Sequence, residues 1–477
     1  MKRGQITVFL SLILCLILSV LFAGIESVRV AGMRLKLESA MDMGLYSVFA
    51  EYNRELLNQY DLYFIDTSYG SGISGPFNAA EHLRDYMNHN LRVQNDPAVF
   101  GAADFTGLMA ERADVIEFSL ATDYQGDSFK KQAVHYMKDV YGISIINKLR
   151  KHIHNYQSCG VEGRNIDNER KRSEERLYER KASSEDANEG RAIDIENPAD
   201  DVNHSRSGFF ELVMQEGMTV SDKKFSVSDL ASHRELQEGN SVLYDGETLN
   251  SPLNEMLFGK YIEKKYSSYT KPFHHEALEY EIEYILCGKN SDSENLKLVV
   301  NKLIRIREAS NVIFLFRDGE KQAEAEALAA VIAAACGAPL LTEFIKYTLL
   351  FSWAFVESIV DIRVLLSGGK VPLLKMKGDW NFAIEHIGNF REHLGNGKSS
   401  ENGLSYEDYL QIFLYFQNRV QKVYRCMDVI ELNLRKTAGN RQFIMDGCLD
   451  FMEAEVNVTS RFGYAFKIKR SYGYEKR

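Results

Sequence analysis

The most constraining feature of this chain is an uncharged apolar run near its N-terminus. The run from Ile6 to Ile25 reads ITVFLSLILCLILSVLFAGI and contains no charged side chain. A helix of about this length spans about 30 Å, which matches the hydrocarbon core of a bilayer. Its few hydroxyl groups can bond back to a carbonyl one turn earlier. The run therefore predicts a transmembrane helix over residues 5–25.

Two interpretations of this run remain open, a retained anchor and a cleaved signal peptide. A signal peptide has an apolar region of roughly 7–15 residues followed by a small-residue cleavage site. Here the run is longer, and the site around Ala23-Gly24 lacks an Ala-x-Ala pattern, which favours the anchor. Lys2 and Arg3 lie on the N-terminal flank, so the positive-inside rule predicts a cytoplasmic tip at residues 1–4. We therefore expect a single-pass cell-membrane protein with an extracellular C-terminus.

Beyond the span, the sequence predicts an α+β fold that is mostly helical. Apolar residues recur every three or four positions from Leu37 to Leu57 without a proline, which extends the transmembrane helix into a long stalk helix ending near residue 58. Alternating apolar residues predict strands at 60–65 and 114–121, and a C-terminal hairpin that turns at 460–463. Helical patterns dominate elsewhere, so we expect helix-rich outer domains with a few antiparallel strands.

A change of composition divides the part outside the predicted span. From residue 160 to 208 charge is dense, its signs are mixed and large apolar residues nearly vanish. Such segments bury too little surface to offset the entropy lost on ordering. We predict a charged disordered linker at 160–208, in which 166–181 could form a solvated helix. It would separate the stalk helix and a first α+β region at 26–159 from a second, helix-rich region with C-terminal strands at 209–477.

Charge and cysteine content narrow the classes of partner. A formal net charge of -10 over 477 residues argues against a nucleic-acid partner, which would need a basic surface. The six cysteines have no metal or redox spacing. Cys426 and Cys448 are the nearest plausible disulfide pair, and the alternative is that both are small buried apolar residues. The apolar segment 347–356 is bounded by charges and predicts a buried core helix rather than a second span.

The segment from Asp66 to Ser71 is similar to the D-x-S-x-S metal loop of von Willebrand A domains. Oxygen ligands of this kind suit Mg²⁺ or Ca²⁺. However, Gly70 stands where the second serine should be, and no alternation of parallel strands and helices follows. A turn at the end of a strand is therefore the favoured interpretation.

Other groups of polar residues lack the spacing of zinc, acid–base or phosphate sites. The carboxylates of Glu357 and Asp361 share one helical face, and we expect them to be paired inside the core. The other residues considered are the histidine pairs as zinc ligands, Arg363 as a neighbour of the two carboxylates, and a short glycine segment as a phosphate loop. They are His152 with His154, His274 with His275, Arg363, and Gly368-Gly369-Lys370. The sequence predicts no catalytic residues, no cofactor and no metal, which favours a protein that is not an enzyme.

The N-terminal segment resembles the start of TadE/TadG-like proteins of the Flp (Tad) pilus system. The resemblance extends from the N-terminus to near residue 60 and rests on Lys2-Arg3-Gly4-Gln5-Ile6-Thr7-Val8-Phe9, Glu26, Arg29, Leu37 and Ala40-Met41-Asp42-Met43-Gly44. It implies a minor pseudopilin-like accessory protein that acts by assembly contacts, with membrane lipid, pilus subunits and cell wall as partners. Prepilin-type processing, if it occurs, would cut between Gly4 and Gln5, and an anchor that is not cleaved, as is frequent among TadG-like members, is the alternative. The fifth residue after Gly4 is Phe9, whereas type IV-like pilins have a glutamate there.

The remainder resembles an uncharacterised family of Gram-positive bacterial membrane proteins. The segments that carry this resemblance are EYILCGK (283–289), IREASN (306–311), GGKVPLLK (368–375) and LSYEDYLQ (404–411). That resemblance implies no particular chemistry. Two alternatives to the pilus accessory stay open, a cell-surface binding or adhesion module and an extracytoplasmic enzyme whose site residues are dispersed along the sequence.

Overall fold

The computed structural model describes residues 2–92, 106–140, 143–161, 164–187, 197–215, 217–241, 249–273, 277–395 and 397–474. Their helices and strands, numbered along the chain, are α1 (Lys2–Phe49), α2 (Arg54–Tyr60), β1 (Ile65–Asp66), α3 (Pro76–Leu91), β2 (Met109–Leu120), α4 (Asp123–Val140), α5 (Ile143–Ser158), α6 (Ile166–Ala187), α7 (Pro198–Ser205), α8 (Phe209–Val213), α9 (Pro252–Lys265), α10 (Glu281–Cys287), α11 (Asp292–Leu315), α12 (Gly319–Ala335), α13 (Thr342–Leu366), α14 (Phe390–His393), α15 (Tyr406–Phe416), α16 (Arg419–Leu434), β3 (Cys448–Thr459) and β4 (Ala465–Gly473). The predicted α+β, mostly helical class is confirmed.

These elements form two compact units, each assembled from separate stretches of chain. The sheet unit comprises Met1–Ala133, His233–Leu249 and Ile430–Arg477, and the helical unit comprises Val134–Ser232 and Asn250–Val429. This division differs from the predicted one at 160–208. The physical reason is that β2 finds its pairing partner in β3, near the C-terminus, which brings the last residues of the chain into the first unit.

Strand β3 is the centre of an antiparallel sheet. It pairs with β2 along one edge, and with β4 and the short β1 along the other. The C-terminal hairpin is confirmed, and its turn closes with a 3.0 Å hydrogen bond from the Gly463 amide to the Ser460 carbonyl. Gly463 has a φ of 78°, a conformation that glycine adopts without strain.

The second half of α1 packs on one face of this sheet. Side chains at three- and four-residue spacing are fully buried there, as the periodicity predicts. Along β3 alternate side chains are buried in the core that the sheet shares with α1 and α3, which is the period of a half-covered strand. The residues that meet in this core include Met33, Leu37, Met41, Leu45, Val48, Leu83, Met87, Met452, Ala454, Val456 and Val458.

Helix α1 ends at Phe49, so the prediction of one helix to about residue 58 is wrong. Asn53 has an extended backbone, and its side-chain oxygen accepts a hydrogen bond from the Leu56 amide. This N-cap starts the separate helix α2. The apolar periodicity continues through the break because both helices contribute to the core. The periodicity alone therefore does not indicate that one helix ends and another begins at Asn53.

The charged segment contains helices where the sequence suggested a linker. Helix α6 contains an i,i+4 ion pair between Arg170 and Glu174, at 2.6 Å. Helix α7 buries Ala199 and Val202 against α13. Residues 188–196 lie outside the described part of the chain.

The helical unit is built around α13, which packs against α11 and α12. Nearly every side chain from Ile345 to Leu366 is buried. Segment 347–356 is therefore a core helix, as predicted. Helix α12 meets α13 through Ala325, Ala329 and Ala333, three small residues at four-residue spacing.

Candidate functional site

Most of the large apolar side chains that α1 exposes lie in its first half. Of the described helices, α1 alone is long and apolar enough to cross a membrane. From Ile6 to Ile25 its large apolar side chains are between 39% (Ile13) and 67% (Phe22) exposed. The Ser11 and Ser19 hydroxyls each donate to a backbone carbonyl one turn earlier, at 2.8 Å. Such a surface requires a non-aqueous environment or a protein partner.

Immediately after the apolar run, α1 is tied to the turn of the β3–β4 hairpin. Arg29 forms a 2.6 Å ion pair with Glu26, and the Tyr464 hydroxyl donates a hydrogen bond to the same carboxylate. The Arg29 guanidinium also lies 3.8 Å above the centre of the Phe462 ring. The end of the apolar run and the end of the sheet are thus held together.

Glu357 and Asp361 lie in a buried ionic cluster of the helical unit, as expected for a paired feature of the core. Lys375 inserts between them, bonded to Glu357 and 2.6 Å from an Asp361 oxygen. Arg307 donates to the other Asp361 oxygen through two nitrogens, at 3.0 and 3.1 Å. Each of the four side chains is at most 1% exposed. Arg363 points elsewhere and donates to the Leu212 and Leu394 carbonyls.

The rest of the cluster's polar atoms are also satisfied. Glu357 accepts hydrogen bonds from the Asn381 and Phe382 amides, at 2.9 and 2.7 Å. Arg307 donates to the carbonyls of Pro372 and Leu373, at 2.7 and 2.9 Å. Burial alone would raise the pKa of Asp361, but the charges of Lys375 and Arg307 outweigh it and lower that pKa. The arrangement fixes the loop after α13 to the core, and it contains no solvent-accessible reactive group.

Four segments of the helical unit, EYILCGK (283–289), IREASN (306–311), GGKVPLLK (368–375) and LSYEDYLQ (404–411), all contribute side chains to its buried polar contacts. Arg307, from IREASN, and Lys375, from GGKVPLLK, form the ionic cluster with Asp361. Tyr409, from LSYEDYLQ, accepts a 3.0 Å hydrogen bond from Arg307. Tyr406, from the same segment, donates at 2.8 Å to Glu283 of EYILCGK. These segments therefore have a structural role in holding α10, α11, α13 and α15 together.

Glu283 is fully buried, and among the described residues no cation pairs with it. Its Oε1 accepts from the Tyr269 amide and the Tyr406 hydroxyl, while its Oε2 has no hydrogen-bond partner among the described residues. Burial raises the pKa of Glu283 to about 7. The carboxyl is poised to change its protonation state near neutral pH, inside the protein rather than in a cleft.

The remaining predicted candidates are separate from each other. Asp66 ends β1, and its carboxylate accepts a 2.9 Å hydrogen bond from the Ser68 amide, which makes the loop a turn. His152 faces Asp408 at 3.7 Å, whereas His154 is exposed. His274 and His275 lie outside the described residues, and for Gly4 and Gln5 only the backbone, which belongs to α1, is described. Across the described ranges, no group of three or more His, Cys, Asp or Glu is arranged to hold a metal ion.

Cys426 and Cys448, the nearest plausible disulfide pair, are both buried and free. This agrees with the alternative that they are small buried apolar residues. Gly368, Gly369 and Lys370 follow the end of α13, and Gly368 has a φ of 85°. They form the end of a helix and not a phosphate loop.

An open groove of about 820 Å³ lies in the helical unit, beside the ionic cluster. Helix α5 forms one wall and the loops at 370–379 and 400–404 form the other. The charged and titratable side chains lining it are Lys148, Lys151, His152, Cys159, Lys370, Asp379 and Glu401. No sequence pattern indicates this groove, because its two walls come from distant parts of the chain.

Comparison with known proteins places most of the chain in a family. No curated protein and no solved structure matches it. Residues 188–460, more than half of the chain, match the model of a family of unknown function, DUF5702. That stretch includes the ionic cluster and all of β3, and it begins after α1. The chain is therefore a member of DUF5702, a family of unknown function.

Proposed function

We propose that this chain is a membrane-anchored extracytoplasmic accessory protein of a Tad/Flp-type pilus or a related secretion apparatus. It would be minor pseudopilin-like and act by assembly contacts rather than catalysis. The observation that carries the proposal is the division of α1 into an exposed apolar half and a half fixed in a sheet core. In this arrangement the first half spans the cell membrane, with the N-terminus cytoplasmic and both units outside.

The exposed half of α1 also has a surface suited to helix packing. Small residues recur every four positions along it, at Thr7, Ser11, Cys15, Ser19 and Ala23. Small side chains let two transmembrane helices approach closely. Because the second half of α1 is part of the sheet core, a neighbouring anchor that packs against this row would also position the outer sheet.

Co-purification from membranes tests this proposal. We expect the full chain, expressed in its own cell, to co-purify with identified pilus or pseudopilin subunits after mild detergent extraction. Ser19→Leu should abolish this association, because it puts a large side chain into the row of small residues and keeps the two helices apart. Val20→Leu, one residue along and off the row, should leave it intact. Absence of pilus components from the purified complex would refute the proposal, and so would equal behaviour of the two variants.

The N-terminus of the mature protein distinguishes two forms of this function. A chain that begins at Met1 supports an accessory anchor, and one that begins at Gln5 supports a processed pilin-like subunit. N-terminal sequencing of protein isolated from membranes measures this directly. Protease treatment of intact cells tests the orientation, since both outer units should be digested.

The groove of the helical unit favours a second candidate, a cell-surface binding module. Lys151 and Lys370 lie on its opposite walls, and within the described residues neither side chain has an ion-pair partner. Purified cell-wall sacculi are a suitable probe for the full chain in detergent. Binding that is lost in Lys151→Glu but kept in Lys171→Glu, a lysine of α6 outside the groove lining, would support this function.

A further inference from the structure

The β3–β4 hairpin is aligned with α1. Tyr464, at the start of the hairpin's return, contacts Glu26, and Tyr472 packs on Tyr46 with ring centres 5.0 Å apart. The eight-residue step along the strand rises about 26 Å, and the twenty-residue step along the helix rises about 30 Å. The strand therefore runs alongside α1, and the hairpin turn is at the end of the sheet next to the apolar run.

The height of this turn relative to the apolar run follows from the helix geometry. Arg29, which stacks on Phe462, is four residues beyond Ile25 and hence about 6 Å above the end of the run. The headgroup layer on each side of a bilayer is roughly 5–7 Å thick, taking a core of about 30 Å within a total of about 40–45 Å. Phe462 and Arg29 thus lie at the depth of the headgroups when α1 crosses the membrane.

The side chains exposed at this end have the chemistry of a membrane interface. Phe462 is 50% exposed and Met109, opposite Thr459 at the start of β2, is 56% exposed. Arg461 is exposed, and among the described residues its guanidinium has no ion-pair partner. Phenylalanine on the apolar side of an interfacial segment lies at the boundary between headgroups and acyl chains, and a free guanidinium is a strong donor to phosphate.

We propose that the hairpin turn, Ser460 to Tyr464, is a lipid-contact surface that seats the sheet unit on the phospholipid headgroup layer. The inference rests on the proposed function, because it requires α1 to span the bilayer. Phe462 places its ring in the headgroup layer, at the boundary with the acyl chains, and Arg461 binds headgroup phosphate. The bonds from Arg29 and Tyr464 to Glu26 hold the turn at this depth. The sheet unit therefore stands directly on the membrane and not on a free stalk.

Depth-dependent quenching of tryptophan fluorescence tests the inference on the full chain. The chain is reconstituted in phosphatidylcholine–phosphatidylglycerol vesicles whose acyl chains are brominated either near the headgroup or near the chain end. The parent emission, from Trp353 and Trp380, is subtracted. Phe462→Trp should lose most of its added emission in the shallow-brominated vesicles and little in the deep-brominated ones.

Two variants in the same protein make the result decisive. Phe77→Trp replaces another exposed phenylalanine of the sheet unit, 56% exposed, at the start of α3. The end of α3 lies beside Lys36, whose Nζ donates to the Leu91 carbonyl at 2.7 Å, so Phe77 is at the far end and should stay unquenched. Leu14→Trp, within the apolar run, should be quenched by the deep bromines.

The outcomes separate the two claims. If Leu14→Trp is quenched but Phe462→Trp is not, the anchor stands and the lipid contact is refuted. Equal quenching of Phe462→Trp and Phe77→Trp also refutes it, because the contact would not be specific to the turn. If Leu14→Trp escapes quenching, the membrane anchor itself is wrong and the inference falls with it.

Discussion

Replacing Lys375 by methionine should destabilise the helical unit strongly. Lys375 is 1% exposed and is the cation between two carboxylates that are themselves at most 1% exposed. Methionine fills a similar volume but leaves Glu357 buried without its counter-charge. Removing one partner of a buried ion pair costs about 3–5 kcal/mol. We expect Lys375→Met to lower the free energy of unfolding by that amount.

Urea unfolding in detergent, followed by tryptophan fluorescence, measures this loss directly. Both tryptophans of the chain, Trp353 and Trp380, belong to the helical unit. Trp353 donates to the Phe382 carbonyl, next to the cluster, at 2.8 Å. The emission change on unfolding therefore reports on the environment of Lys375.

Lys377 provides a matched control two residues along the same loop. The Lys377–Glu320 ion pair is 2.7 Å long, which is similar to the 2.6 Å between Lys375 and Asp361. However, the Lys377 and Glu320 side chains are 66% and 74% exposed. Lys377→Met should leave the urea midpoint unchanged, because exposed pairs contribute little. The double variant Lys375→Met with Glu357→Gln should recover part of the loss, since the unpaired charge is gone. A Lys375→Met midpoint equal to that of Lys377→Met would refute the reasoning.

Three further measurements test other parts of the structure. Burial raises the pKa of Glu283 from its usual 4.5 to about 7, so the folded state loses stability as the pH rises through that range. Glu283→Gln should therefore increase the free energy of unfolding by roughly 3 kcal/mol at pH 8 and change it little at pH 4. Urea titration at the two pH values measures this difference. Leu37→Ala should cost about 2–5 kcal/mol, seen as faster hydrogen exchange in β3, whereas Leu35→Ala, which is 71% exposed, should not change that exchange. Asn53→Ala removes the cap of α2 and should cost about 1 kcal/mol, with faster exchange at the Leu56 amide, and an unchanged rate would contradict the assigned cap.

Local patterns in the sequence predicted the elements whose environment is simple. The apolar run, the C-terminal hairpin and the core helix at 347–356 each follow from a single periodicity or turn signal. The charges of Glu357 and Asp361 on an apolar helix also indicated a buried pair. Their partners Arg307 and Lys375 could not be identified, because nothing local marks which distant cation enters the core.

The packed helix α7 within 160–208 and the position of the hairpin turn could not be predicted from local sequence patterns. The low apolar content of 160–208 suggested disorder, yet α7 needs only Ala199 and Val202 to pack against α13. The turn at 460–463 was identified as a turn, but its proximity to Glu26 depends on the pairing of strands that are far apart in the chain. The position of Phe462 next to Arg29 follows only once the sheet is placed alongside α1.

The unbroken course of α1 from the apolar run into the sheet core has a rotational consequence. Each residue of a helix adds about 100° about its axis and about 1.5 Å along it. Inserting one alanine after Gly24 would therefore turn the small-residue row by about 100° relative to the sheet, while moving the sheet by only about 1.5 Å. The helix thus fixes the orientation of the sheet about the helix axis as well as its distance along that axis. Neighbouring anchors in a membrane would therefore present their sheets in one fixed direction.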